Sequence, residues 1–380
     1  MRMKQNLLPL GGLSARQFLR EYWQKKPLLV RNAFPGFNGL LTPECMAGLA
    51  CEEDTQSRLV QEHGGRWELR HGPFDEHDFG KLPKTKWTLL VQGLNHFLPE
   101  ADRLLQQFSF IPHARLDDLM VSYAPTGGSV GPHFDSYDVF LLQGMGHRRW
   151  QISAQQDMTL VPGAPLRILQ NFQPEQEWIL GPGDMLYLPP RYAHHGVAQD
   201  DCMTYSVGFR APSAQELVTQ FLVYLQDQAK VEGMYEDPDL PLQAHPAQIS
   251  SEMLRKVSKM LAQIRWDKND ISHFLGQYLS EPKPHIVFEP PKRPMSLQIF
   301  ATRAEQHGLH LALTSQMLCH GHTFFINGEA FAATKQAYPI LLRLADERRL
   351  GPKSRIPLET LEKLYQWYRD GYLALDRAKG

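Results

Sequence analysis

Two kinds of periodicity divide the chain. In residues 14–25 (SARQFLREYWQK), Phe18, Tyr22 and Trp23 share one face at helical spacing, and Ser14 stands where a cap belongs. Pro27–Asn32 reads as a strand, and Thr42, with Glu44 and Cys45, opens a second short helix. SRLVQEH and RWELR, within 57–70, flank Gly64 and Gly65 as a hairpin would. The spacing predicts helix again over 86–108. From about 117 to 210 the pattern changes to short runs rich in Val, Ile, Leu, Phe and Tyr: DDLMVSY, DVFLLQG, RRWQIS, EWILG, DMLYLPP and MTYSVGF. Gly and Pro separate them, which predicts an all-β sandwich or barrel. The gaps are too short for the helical crossovers of a parallel sheet.

After Pro212 the period returns to helix. Ser213 and Glu216 have capping-box spacing ahead of Leu217, Phe221 and Leu225. A second stripe carries Met253, Leu254, Val257, Leu261 and Ile264, and a third Ile271, Phe274, Leu275 and Tyr278. Such stripes more often face their own chain than a partner. An acidic, Pro-containing loop, 233–246, separates the first two. Pro282, Pro284, Pro290, Pro291 and Pro294 then break regular structure. The remainder holds strand-like runs (LHLAL, HTFFI, EAFAA), a type I′ turn at Asn327-Gly328, and two helices around 335–349 and 357–369. That order suits a small winged-helix-like unit.

Composition narrows the function. The 380 residues suffice for two or three domains at about 100–200 residues each. With 42% apolar and 21% charged residues the chain can bury a core, which excludes a wholly disordered protein. Lys+Arg (40) and Asp+Glu (41) nearly cancel, so a surface that grips nucleic acid all over is excluded. No stretch approaches the ~18 apolar residues of a membrane span. Cys45, Cys51, Cys202 and Cys319 form no C-x-x-C pair, which excludes a zinc ribbon and fits reduced thiols. The basic start, Met1–Lys4, and the short apolar run after it read as an ordinary N-terminus.

The chemistry centres on Gly131-Pro-His-Phe-Asp135. On a strand, His133 and Asp135 would point the same way, offering an imidazole and a carboxylate to one metal. One more ligand would complete the 2-His-1-carboxylate triad of non-haem Fe(II) oxygenases, with three positions left open. Taken alone, His-x-Asp is more often a loop or a hydrogen-bonded pair. His194 and His195 both follow the strand-and-break segment PGDMLYLPPRYA and both qualify. His194 is the choice, with His195 turned outward. Arg148, in GHRRW, would sit on a hairpin around Gly144–Gly146 that returns beside the ligand-bearing strand. If it shares an inward face with Trp150, its guanidinium can clamp a dicarboxylate, and Arg149 faces out. The alternative is that both arginines are surface ion-pair partners.

The succession GPHFD, GHRRW, PGDMLYLPPRYAHHG and YSVGFRAP resembles the JmjC-type Fe(II)/2-oxoglutarate oxygenases, and more narrowly the bacterial ribosomal oxygenases. The resemblance runs over almost the whole chain. It implies an α+β protein with a double-stranded β-helix (jelly-roll, cupin-like) JmjC core, a helical dimerisation region and a C-terminal winged helix. The corresponding boundaries are 1–212 for the catalytic domain, with its barrel core at about 115–210, then 213–281, a Pro-rich linker at 282–295, and 296–380. It implies His133, Asp135 and His194 as iron ligands and catalytic residues, Arg148 as the clamp on the distal carboxylate of 2-oxoglutarate, and Ser122 as a second co-substrate contact. Thr204 stands where Asn is expected, and Leu141 shapes the pocket. Dioxygen is the remaining co-substrate. The implied target is the β-carbon of an arginine in large-subunit ribosomal protein sixteen. Asp117, Asp118, Tyr137 and Asp138 are candidates to meet that arginine. A cytoplasmic homodimer with no membrane or direct nucleic-acid contact completes the expectation. A demethylase or small-molecule oxygenase of the same architecture, and a catalytically silent binding module, are the rival readings.

Overall fold

The computed structural model describes residues 9–228 and 231–376. The N-terminal start at Met1–Lys4 lies outside them, as do 229–230 and 377–380.

The first helix, α1 (Ala15–Glu21), begins at Ser14, whose side chain closes a capping box with Gln17. Strand β1 (Leu28–Val30) follows, then α2 (Pro43–Leu49), capped by Thr42. The hairpin of β2 (Ser57–His63) and β3 (Arg66–His71) turns at Gly64-Gly65. After α3 (Glu76–Gly80) the helix expected over 86–108 is only partly present. Its first part is strand β4 (Trp87–Val91), and helix is confined to a 3-10 turn at Leu94–His96, α4 (Pro99–Leu105) and a further 3-10 turn. WTLLV has no face to expose: it lies between β2 and β5 (Leu116–Ala124), where ladder bonds and burial outweigh its weak helical pattern.

The remaining barrel strands are β6 (Val139–Gln143), β7 (Arg148–Ser153), β8 (Gln176–Leu180), β9 (Met185–Leu188), β10 (Ala193–Ala198) and β11 (Cys202–Phe209). They form two antiparallel sheets, one ordered β1-β9-β6-β11-β5-β4-β2-β3 and the other β10-β7-β8. Side-chain alternation puts Phe140, Tyr187, Tyr205 and Val207 of the large sheet against Phe18, Met46, Leu104 and Phe108 of the N-terminal section. The opposite face gives Val139, Leu141, Leu186 and Leu188 to a second cluster with Trp150, Ile152 and Leu180 of the small sheet. Both faces are covered, which is why these strands read as nearly continuous apolar runs. The anticipated hairpin at 144–146 does not pair its two arms. β6 stays between β9 and β11, while β7 crosses to the small sheet beside β10.

Helices α5 (Ala214–Gln228), α6 (Ser251–Leu261) and α7 (Lys268–Ser280) follow. Ser213 and Glu216 form the anticipated capping box of α5. Residues 282–295 contain no helix or strand. An unanticipated helix, α8 (Leu297–His307), comes next, capped by Ser296. The small sheets β16-β12-β17 and β13-β14-β15 then surround α9 (Tyr338–Glu347) and α10 (Leu358–Arg369), with β12 at Leu309–Leu311, β13 at Met317–His320, β14 at Thr323–Ile326, β15 at Glu329–Ala332, β16 at Arg349–Leu350 and β17 at Leu373–Leu375. Asn327 (φ 51°) and Gly328 (φ 87°) make the two-residue hairpin turn. Gly276 of α7 is a forced glycine, because a Cβ there would enter the Phe325 ring of β14.

His96 lines a cavity where the Pro-rich segment and the C-terminal unit meet the barrel. Burial first, then the Lys283 cation, the neighbouring His285 and the Arg348 cation, hold its imidazole down to about 4. The unfolded state, near 6.5, binds the extra proton sooner, so the neutral form's contribution is complete above pH 6.5 and is lost as pH falls towards 4. The urea midpoint of the wild type is therefore expected to drop over this interval, and His96→Gln to drop less. Equal slopes in the two proteins would refute the assignment.

Candidate active site

The three candidate ligands come from two segments joined by backbone. Residues 125–138 leave β5 as a loop, so His133 and Asp135 do not stand on a regular strand as their spacing suggested. One isolated bridge does that work: His133 N–H donates to His194 O (2.9 Å) and His194 N–H to His133 O (2.8 Å). Gly131 (φ 80°) allows the approach, since a Cβ there would meet Ile168 and the Trp67 ring. The His133 and His194 ring centroids lie 4.2 Å apart, and His194 Nε2 is 3.7 Å from Asp135 Oδ2. Ligand atoms of all three residues fall within 4.8 Å of one another, and among the described residues no other such group occurs.

Each imidazole is oriented by its second nitrogen. His133 Nδ1 is 2.9 Å from Gly131 O, and His194 Nδ1 is 2.9 Å from Tyr192 O. Donation to a carbonyl fixes the proton on Nδ1 and leaves Nε2 as a free lone pair, the form a metal takes. His194 is only 2% exposed. Burial, then the neighbouring His133, holds it down to about 4, so it is neutral at physiological pH. His195 turns the other way, its ring edge-on to Phe172. Two nitrogens and one carboxylate on one side of a point can hold a divalent metal and leave positions open opposite.

Arg148 lies in the same cleft, a space of about 1090 Å³ between the sheets. It alternates with Arg149 as expected: Arg148 and Trp150 face in, and Arg149 reaches Glu177 outside. Register places Trp150 opposite Gly196, whose missing Cβ makes room for the indole ring. Arg148 is 3% exposed, and its Nε and Nη2 have no hydrogen-bond partner among the described residues. A buried guanidinium without a carboxylate is costly, and an anionic ligand would remove that cost. Ser122 is buried in the wall, 3.5 Å from Thr204 O. Thr204 donates its hydroxyl to Gln143 Oε1 (3.0 Å), so that contact is spent within the protein. Leu141 lines the cleft between them.

The four acid and aromatic candidates separate. Asp138 is fully buried beneath the sheet, accepting from the Tyr187 hydroxyl (2.7 Å) and Gln24 Nε2 (2.9 Å). It ties α1's exit to β6 and β9 and does not line the cleft. Tyr137, Asp117 and Asp118 do line it. Burial, then the Asp135 carboxylate, pushes the Tyr137 phenol up. Two parts of the wall left no mark in the sequence: Arg58 of β2, and the stretch 160–167 between β7 and β8. Their neighbours in the chain are ordinary strand and loop residues, and only the tertiary fold brings them to the cleft that holds the triad.

Family comparison agrees with this geometry. A JmjC-domain model matches residues 103–217, and a ROXA-like winged-helix model matches 263–374. The second span takes in α7 and the Pro-rich segment. The Escherichia coli ribosomal protein uL16 3-hydroxylase is 37% identical over 278 residues, 73% of this chain and 74% of its own length. The chain belongs to the JmjC ribosomal oxygenases. A probable ribosomal oxygenase of Haemophilus influenzae is 44% identical over 59% of this oxygenase and 54% of its own length. The solved structure of YcfD, a ribosomal oxygenase from E. coli in complex with cobalt and 2-oxoglutarate, superposes with a TM-score of 0.82 at 32% identity, covering 96% of this chain and 99% of that one. The expected fold is therefore the observed one, a cupin-like JmjC core followed by a winged helix.

Proposed function

We propose that this protein is an Fe(II)- and 2-oxoglutarate-dependent hydroxylase acting on an arginine β-carbon of large-subunit ribosomal protein uL16. The reading is carried by one conjunction: a convergent His-Asp-His triad and an unpaired buried guanidinium in a single cleft. His133, Asp135 and His194 hold the metal on one face. Arg148 takes the distal carboxylate of 2-oxoglutarate, and Ser122 lies beside it as a further polar contact. With its co-substrate bound, Fe(II) supplies activation of dioxygen for insertion of one oxygen atom into a C–H bond, yielding succinate and carbon dioxide. The chain's part is positional. The His133–His194 bridge keeps the two imidazoles at fixed separation, and Trp150, Leu141 and the 160–167 stretch keep water from the reacting centre. Asp118, on the inward face of β5 with Met120 and Ser122, meets the substrate guanidinium, and Tyr137 packs beside it.

Helices α5 and α6 support a homodimer. They leave Leu222 59% and Leu254 57% exposed, and α6 buries none of its side chains. Large apolar side chains left open to water are a usual mark of an interface. Among the described residues no helix is long and apolar enough to cross a membrane. The cytoplasm, where ribosomal proteins are made, is the proposed site of action.

Purified enzyme with Fe(II), 2-oxoglutarate and large-subunit ribosomal proteins is expected to add one oxygen atom to an arginine of uL16, read by peptide mass spectrometry. Modification of other residues, or loss of a methyl group, would refute the substrate. Arg148→Met is expected to weaken 2-oxoglutarate binding about 30- to 150-fold, the loss of a charge-assisted pair of bonds worth ~2–3 kcal/mol. Its melting temperature without co-substrate should not fall, because the unpaired buried charge goes too; an unchanged affinity would remove Arg148 from the pocket. Light scattering should give twice the chain mass for the wild type and the single mass for Leu222→Glu with Leu254→Glu. A monomeric wild type would end the dimer reading.

A further inference from the structure

Asp118 ends the inward row of β5 and is 2% exposed. Its Oδ2 accepts from Gln92 Nε2 (2.7 Å) and from Gly93 N–H (3.0 Å). Among the described residues no hydrogen bond reaches Oδ1, which leaves that oxygen for a ligand. The nearest lysine belongs to the Pro-rich segment: Lys283 Nζ lies 3.0 Å from Asp117 Oδ1 and 3.9 Å from Asp118 Oδ2. It approaches from behind. Lys283 lines a separate cavity of about 50 Å³ where the barrel, the Pro-rich segment and the C-terminal unit meet; Asp118 lines the active cleft, and Asp117 lines both. A ligand in the cleft therefore has no need to displace the lysine.

We propose that Lys283 is a positioning residue: it balances Asp117 and Asp118 from outside the cleft, so that Asp118 can offer its carboxylate to the substrate's cationic side chain. The inference rests on the reading of the cleft given above. Burial, with the neighbouring Asp117, pushes the Asp118 carboxyl up, and Lys283 is the strongest influence in the opposite direction. The other groups facing the pair are differently engaged. Arg210 Nε stands 3.4 Å from Asp117 Oδ1 and donates through Nη1 to Leu279 O. Arg58 reaches Gln92 Oε1 (3.4 Å). His96 is neutral at physiological pH, and the Tyr137 phenol is protonated. The acid pair and its counter-charge thus come from the barrel and from the segment leading to the winged helix, so the placement of that segment sets the charge at the end of the cleft.

The test uses the full chain. In protein carrying 13C at the aspartate carboxyl carbon, the Asp118 resonance is identified by its loss in Asp118→Asn and titrated with pH. Lys283→Met and Lys283→Gln are expected to raise its midpoint by about one unit or more, and Lys283→Arg to restore it. A midpoint unchanged in both neutral variants would overturn the proposal. With the arginine substrate, the neutral variants should raise KM about twofold or more at neutral pH while kcat is kept, with the gap widening as pH falls and closing as it rises. A loss independent of pH, or one confined to kcat, would mark Lys283 as a merely structural residue and also overturn it. If the wild type modifies no arginine, the substrate reading fails, while the carboxyl titration still decides the role of Lys283.

Discussion

Two backbone hydrogen bonds between His133 and His194 hold the centre of this molecule together. The residues are far apart in sequence, and one of them sits in a loop with no ladder of its own. Because the bonds are reciprocal, the two side chains leave the bridge together on one side, and Asp135 follows two residues later. The surrounding barrel serves this constraint. β10 is held by β7, β7 by β8, and the inner faces of β6 and β9 pack against them. A rigid scaffold is what lets irregular backbone carry ligands at fixed separation.

Charge is distributed in the cleft with the same economy. The lining holds an unpaired cation, Arg148, and a carboxylate with a free oxygen, Asp118. Each is an unfavourable arrangement in isolation, and each becomes favourable on meeting a ligand of opposite sign. In the function proposed above, a dicarboxylate co-substrate and a guanidinium substrate answer these two charges, in the cleft that also holds the His-Asp-His triad. Asp138 illustrates the contrast. It is as deeply buried, yet Tyr187 and Gln24 satisfy it within the fold, and it offers nothing to a ligand.

Much of this was legible in local pattern. Ser14, Thr42, Ser213 and the Asn327-Gly328 turn mark element ends that the structure reproduces, because caps and tight turns depend on side chains within a few residues. The alternation of Arg148, Arg149 and Trp150 told inward from outward faces for the same reason. Trp87–Val91 carries a weak helical pattern yet forms a strand, because its neighbours in the sheet, β2 and β5, lie outside any short window. The hairpin expected at 144–146 failed likewise: a turn constrains where the chain reverses, and sheet membership is settled by distant partners.

The amino-acid order by itself determined which groups are available, namely two kinds of metal-binding side chain in GPHFD and AHHG, a cation in GHRRW, and the strands and caps that local chemistry enforces. Only the tertiary structure decided that these meet. It selected His194 over His195, since the bridge to His133 turns one imidazole inward and leaves the other at Phe172. It consigned Asp138 to the core and kept Asp118 in the cleft, and it brought Lys283 from the Pro-rich segment to the back of the acid pair. The physical reason is the same in each case. Hydrogen-bond register, burial and charge balance are properties of segments brought together from distant parts of the chain, and no local window contains both partners.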